Sequence, residues 1–106
     1  MSKYTYKDID QAEPGKVFET VDYQMNGIGY DGEPFEDVVH FELIRSGAFD
    51  YGNRTGMTMT RHSTGRTEFF DTRYVNGIVE DFPKFALEFL KDRTIDGFTF
   101  KRLGGG

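Results

Sequence analysis

Helical periodicity is convincing in one place in this chain. Phe82, Phe85, Ala86, Phe89 and Leu90 fall at i, i+3, i+4, i+7 and i+8, an apolar stripe along one side of a helix. Asp81 sits where an N-cap belongs, Pro83 is tolerated in a first turn, and Asp96-Gly97 closes the element. Glu80, Lys84, Glu88 and Lys91 alternate in sign on the outer side. A helix over about residues 80–94 is therefore expected. Elsewhere the patterned apolar residues recur by twos, which is the period of a half-buried strand.

Val17, Val21, Tyr23 and Met25 alternate with Phe18, Thr20 and Asp22, predicting a strand over residues 16–25 with one mostly apolar face. Residues 26–34, with three glycines and a proline, read as a loop with several positive φ positions. From Val38 to Arg45, Val39, Phe41 and Leu43 face one way and Val38, His40, Glu42 and Ile44 the other. Phe49-Asp50-Tyr51 briefly continues the sheet, and Gly52 to Gly56 turns the chain. Residues 57–74 form a hairpin with Thr64-Gly65 as a two-residue turn. Phe98 and Phe100 alternate with Thr99 and Lys101 in a short last strand.

The expected fold is α+β: a single domain over residues 1–103, with a twisted, mainly antiparallel sheet, one amphipathic helix on one face and a C-terminal strand. Gly104-Gly105-Gly106 reads as a flexible tail. At 106 residues the chain has room for one core. Eleven Phe and six Tyr supply much of its apolar area. With no cysteine there is neither a disulfide framework nor a thiol nucleophile. No leader or membrane-length apolar run occurs, so a cytoplasmic protein without membrane contact is expected.

A two-residue turn at Thr64-Gly65 pairs His62 with Thr67, Arg61 with Glu68 and Met59 with Phe70. One hairpin face then holds Met57, Met59, Phe70 and Tyr74, closed by an Arg61–Glu68 ion pair. The other holds Thr58, Thr60, His62, Thr67, Phe69, Asp71 and Arg73, with Arg66 at the tip. That polar face, with Phe69 as an aromatic anchor, is the first candidate binding surface, for a protein or a single-stranded nucleic acid. In outline, Gly65-Arg66, Asp71-Thr72-Arg73 and Gly77-Ile78 ahead of the helix resemble single-strand-binding coactivator domains. The strand after the helix departs from their plan. The terminal Lys101–Gly106 segment is similar to the diglycine tail of ubiquitin-like proteins, but those place their main helix after the first hairpin.

The second candidate surface is acidic: Asp31, Glu33, Glu36 and Asp37. Their spacing is not that of an EF-hand, and Pro34 interrupts them. Residues 1–50 carry four Lys/Arg against eleven Asp/Glu, whereas 51–79 carry four Arg against two acids. No phosphate-cradling glycine loop, metal-ligand spacing or nucleophile motif accompanies His40 or His62, so no cofactor, metal or catalysis is expected. Two functions fit. One is an acidic binding protein that inhibits or modulates a larger, more basic protein, such as a nucleic-acid-handling enzyme of the kind mobile elements or phages meet. The other is a single-stranded DNA or RNA binder using the Phe69 face of the hairpin with Arg54, Arg66 and Arg73, against which the net charge of −5 counts. A homodimer is compatible with either.

Overall fold

A computed structural model describes residues 4–47, 55–72 and 78–104. The chain forms α1 (Tyr6–Gln11), β1 (Val17–Ile28), β2 (Pro34–Arg45), β3 (Thr55–Arg61), β4 (Thr67–Asp71), α2 (Phe82–Asp92) and β5 (Thr99–Leu103). The five strands make one antiparallel sheet in the order β4-β3-β2-β1-β5. This is the expected α+β architecture. Among the described residues no helix is long and apolar enough to cross a membrane.

Alternation builds the core. Val21, Tyr23 and Met25 of β1, Val39, Phe41 and Leu43 of β2, and Met57 and Met59 of β3 are buried on one face. Phe82, Ala86 and Leu90 of α2 pack into the same cluster, as does Ile9 of α1. Asp81 caps α2 by accepting the Lys84 N–H at 3.2 Å, and Pro83 lies in the first turn. The helix is anchored to the sheet where the Tyr23 hydroxyl donates to the Pro83 carbonyl at 2.7 Å. Burial pushes the Tyr23 phenol pKa upward.

Several expectations are corrected. Residues 6–11 are helical, because Thr5 and Asp8 form a reciprocal capping box. One buried residue, Ile9, is too little to show a stripe in the sequence. Residues 26–28 and 34–37 belong to strands, and of the three glycines in this region only Gly32 has a positive φ, 80°. Gly27 serves packing, since a Cβ there would lie 2.7 Å from the Phe98 ring. A register shift between Val17 and Glu19 turns Val17 off the core face, leaving it 43% exposed beside Ile44. Thr55 and Gly56 begin β3 rather than completing a turn.

The β3–β4 loop has four residues, not two. Arg61 N–H donates to the Arg66 carbonyl, enclosing His62 to Gly65, and Gly65, the loop's one glycine, takes a positive φ, 69°. A two-residue type I′ turn would force Thr64 to positive φ, a strained state for a β-branched residue. The longer loop moves the register by two: Thr60 faces Thr67, Thr58 faces Phe69 and Met57 faces Phe70. A shift of two preserves the faces, so the two-sided division of the hairpin survives. The Arg61–Glu68 pair does not form, because Glu68 lies opposite Met59 and Arg61 Nη1 approaches the Met25 sulfur at 3.7 Å. Arg54, Arg73, Tyr74, Gly77 and the segment Phe49-Asp50-Tyr51 lie outside the described residues.

Candidate functional site

Among the described residues, no helix or strand covers the sheet face opposite the helices. One row crosses all five strands, from Thr67 through Thr60, His40 and Asp22 to Leu103. The adjoining row runs from Phe69 through Thr58 and Glu42 to Thr20. Strand alternation carries all these side chains away from the core.

Thr58, Thr60, Thr67 and Phe69 of the hairpin candidate thus share this face. Thr60 and Thr67 satisfy one another across the strands, hydroxyl to hydroxyl at 2.8 Å. The Phe69 ring fills the space that a Gly56 Cβ would occupy, 2.7 Å from that position, yet the residue remains 47% exposed. It lies across the sheet as a covering ring on a glycine gap. His62 is an exposed loop residue whose N–H donates to the Val38 carbonyl, so it does not pair with Thr67. Arg66 is exposed at the end of the same loop, at the position paired with Arg61 and therefore in register with the core side.

The acidic candidate divides between locations. Asp31 and Glu33 are exposed in the β1–β2 turn, where Asp31 Oδ1 accepts the Glu33 N–H at 3.0 Å. Glu36 is on the open face and accepts from Gln24 Nε2 at 2.6 Å. Asp37 is only 5% exposed and is no part of a docking surface. Its carboxylate accepts from the Val38 and Ser63 N–H groups and from the Ser63 hydroxyl, at 2.7–2.9 Å. Strand alternation points neighbours Glu36 and Asp37 to opposite faces, which spacing in a supposed loop could not show.

The closest side-chain arrangement on the open face centres on His40, which the sequence sets beside Glu42 but not beside Asp22. His40 Nδ1 lies 2.5 Å from Asp22 Oδ1, and Nε2 lies 3.1 Å from Glu42 Oε2. Glu42 is two residues along the same strand, a signal present in the sequence; Asp22 is brought by the β1–β2 register. Ionised carboxylates only accept, so the ring satisfies both as the imidazolium, donating from both nitrogens. Partial burial lowers the His40 pKa, but hydrogen bonds and charge from Asp22 and Glu42 outweigh it and the net direction is upward. With both nitrogens engaged by carboxylates, this geometry favours the protonated form of the ring. The two carboxylates sit on opposite ring edges and do not converge on a common point.

This defines a class in structural terms: a helix-backed antiparallel sheet whose uncovered face is polar and carboxylate-rich. In comparisons with known proteins, no family model, curated protein or solved structure matches the chain.

Proposed function

We propose that this chain is a non-catalytic binding protein whose open sheet face docks a basic segment of a larger protein and thereby modulates it. The carrying observation is the charge of that face: Asp22, Glu36, Glu42 and Asp71 share it with Lys101 and His40. Even with His40 protonated, its cluster with Asp22 and Glu42 keeps one net negative charge. Threonines and the flat Phe69 ring supply the neutral contacts that surround such charges in protein interfaces. A segment rich in Lys and Arg, like those lining channels that hold nucleic acid, is the complementary surface. The same carboxylates count against single-strand binding on this face, since they would repel phosphates from the bases that Phe69 could stack.

Two measurements test this. Labelled poly-dT and poly-U oligonucleotides are titrated at low and high salt, with no binding expected at either. Binding that weakens steeply with salt would overturn the reading in favour of the single-strand one. The wild type and a Glu36→Lys/Glu42→Lys variant, checked for fold by circular dichroism, are then used to capture proteins from lysate. Capture of basic proteins by the wild type, lost in the variant and weakened by salt, is expected. Capture that survives the charge reversal removes the open face from the account.

A further inference from the structure

On the other side of the sheet, a cavity of about 410 Å³ opens between the β1–β2 turn and the C-terminal end of α2. Met25, Phe35, Ile95 and Phe98 form its apolar walls. Phe35 and Phe98 meet edge to face with centroids 5.8 Å apart, so one wall is a fixed aromatic corner. Gly27 makes that corner possible, because a side chain there would collide with the Phe98 ring. Volume and lining are in the range of small-molecule sites.

Two arginines are among the residues that line this apolar space. Arg61 comes from the end of β3, with its Nη1 against the Met25 sulfur. Arg93 follows α2 and is held by stacking, its guanidinium carbon 3.6 Å from the Phe89 ring centroid and 5.2 Å from that of Phe70. Among the described residues, neither has a carboxylate within 4 Å. Cations beside apolar surface without a counter-ion are a recognition element for an anion. Opposing them are Asp31 at the rim and the C-terminal carbonyls of α2. The Leu90 carbonyl is already occupied, by the Arg93 N–H at 3.1 Å and the Thr94 hydroxyl at 2.7 Å. Two cations against one carboxylate leave the lining net positive, unlike the open face.

We propose that this cavity binds a small amphipathic anion, with an aromatic or short aliphatic body against Phe35, Phe98 and Ile95 and an acidic head between Arg61 and Arg93. The site is independent of the open sheet face, being on the other side of the sheet and of opposite charge. It recognises one flat apolar body with one anionic group, such as an aryl carboxylate or sulfonate. Tyr30, 92% exposed at the mouth, supplies a further ring toward solvent.

Anilinonaphthalene sulfonate is the probe, titrated by fluorescence into the folded chain and mapped by amide chemical shifts. Saturable one-to-one binding is expected, with shifts confined to residues around Gly29, Thr94, Ile95 and Phe98. Arg61→Gln and Arg93→Gln should each weaken it roughly tenfold, the scale of one hydrogen bond to a charged group. Asp31→Asn should tighten it. The uncharged analogue phenyl naphthylamine should bind more weakly than the sulfonate. Ile95→Trp, which fills the cavity without removing a charge, should abolish binding while the far-ultraviolet spectrum is unchanged. Equal affinity for the charged and neutral probes, binding indifferent to Arg61→Gln, shifts located elsewhere or no binding to the folded chain would each overturn the proposal.

Discussion

His40 and Asp22 face each other across the β1–β2 ladder with Nδ1 2.5 Å from Oδ1, at the centre of the uncovered sheet face. Glu42 holds the other ring nitrogen, so the histidine ring is fixed between two strands by both of its edges. The pair explains how a polar row is tolerated mid-sheet. Each acceptor meets a donor, and the strands gain a cross-link that depends on protonation.

That dependence has a definite sign. The folded-state pKa of His40 is raised above its ordinary 6.5. The stabilisation is therefore fully present below the ordinary value and is lost as pH rises through the raised folded value. His40→Gln should destabilise the protein by about 0.5–1 kcal/mol at acidic pH and by little in the alkaline range. Urea midpoints of wild type and variant, compared at each pH from about 5 to about 9, should converge as pH rises.

Asp37 and Ser63 make a second contact over distance in sequence, between the start of β2 and the β3–β4 loop. Removing the buried carboxylate leaves two N–H groups and a hydroxyl without their acceptor. Asp37→Ala should cost about 1–3 kcal/mol, and Ser63→Ala about 1 kcal/mol. A double-mutant cycle should show both losses overlapping, since each variant breaks the hydroxyl bond. Strict additivity in chemical denaturation would show that the loop is held some other way.

Gly27 and Gly56 are each covered by an aromatic ring, but the rings differ in freedom. At Gly27 a Cβ would strike the base of the Phe98 ring, which is packed against Phe35. At Gly56 it would meet the far end of the exposed Phe69 ring, which can swing outward. Gly27→Ala should cost about 1–3 kcal/mol, the range of a core insertion, and Gly56→Ala clearly less. Thermal midpoints order the two, and ring-proton shifts of Phe69 should move toward solvent values in Gly56→Ala.

The Tyr23 hydroxyl links β1 to the first turn of α2. Tyr23→Phe keeps the ring and removes only this bond, so a loss of about 1 kcal/mol is expected. Asp81→Ala, which removes the adjacent cap, should cost a similar amount. Amide exchange should report both as faster opening of the first turn of α2, with β2 and β3 little affected.

Much of the architecture was legible because it is written in period. Asp81, Pro83 and the Phe82–Leu90 stripe located α2, and alternation in β2 and β3 separated core from open face before any pairing was known. Where local chemistry was thin or misjudged, the reading missed. The capping box of Thr5 and Asp8 marks α1, but six residues with one buried side chain carry no stripe. Glycines in residues 26–32 suggested a loop, whereas Gly27 is a strand residue chosen for the ring that lies on it.

The sequence by itself determined which residues of α2, β2 and β3 face the core, since side-chain direction follows from the backbone repeat of each element. Tertiary structure alone decided which of the outward residues meet. The four-residue loop set the β3–β4 register, the β1–β2 ladder brought Asp22 to His40, and packing of α2 against the sheet placed Arg93 beside the same cavity as Arg61. Asp22 and His40 lie 18 residues apart in sequence, and Arg61 and Arg93 lie further apart still. Their meeting is fixed by strand pairing and burial over the whole domain, a global minimum that no local pattern encodes.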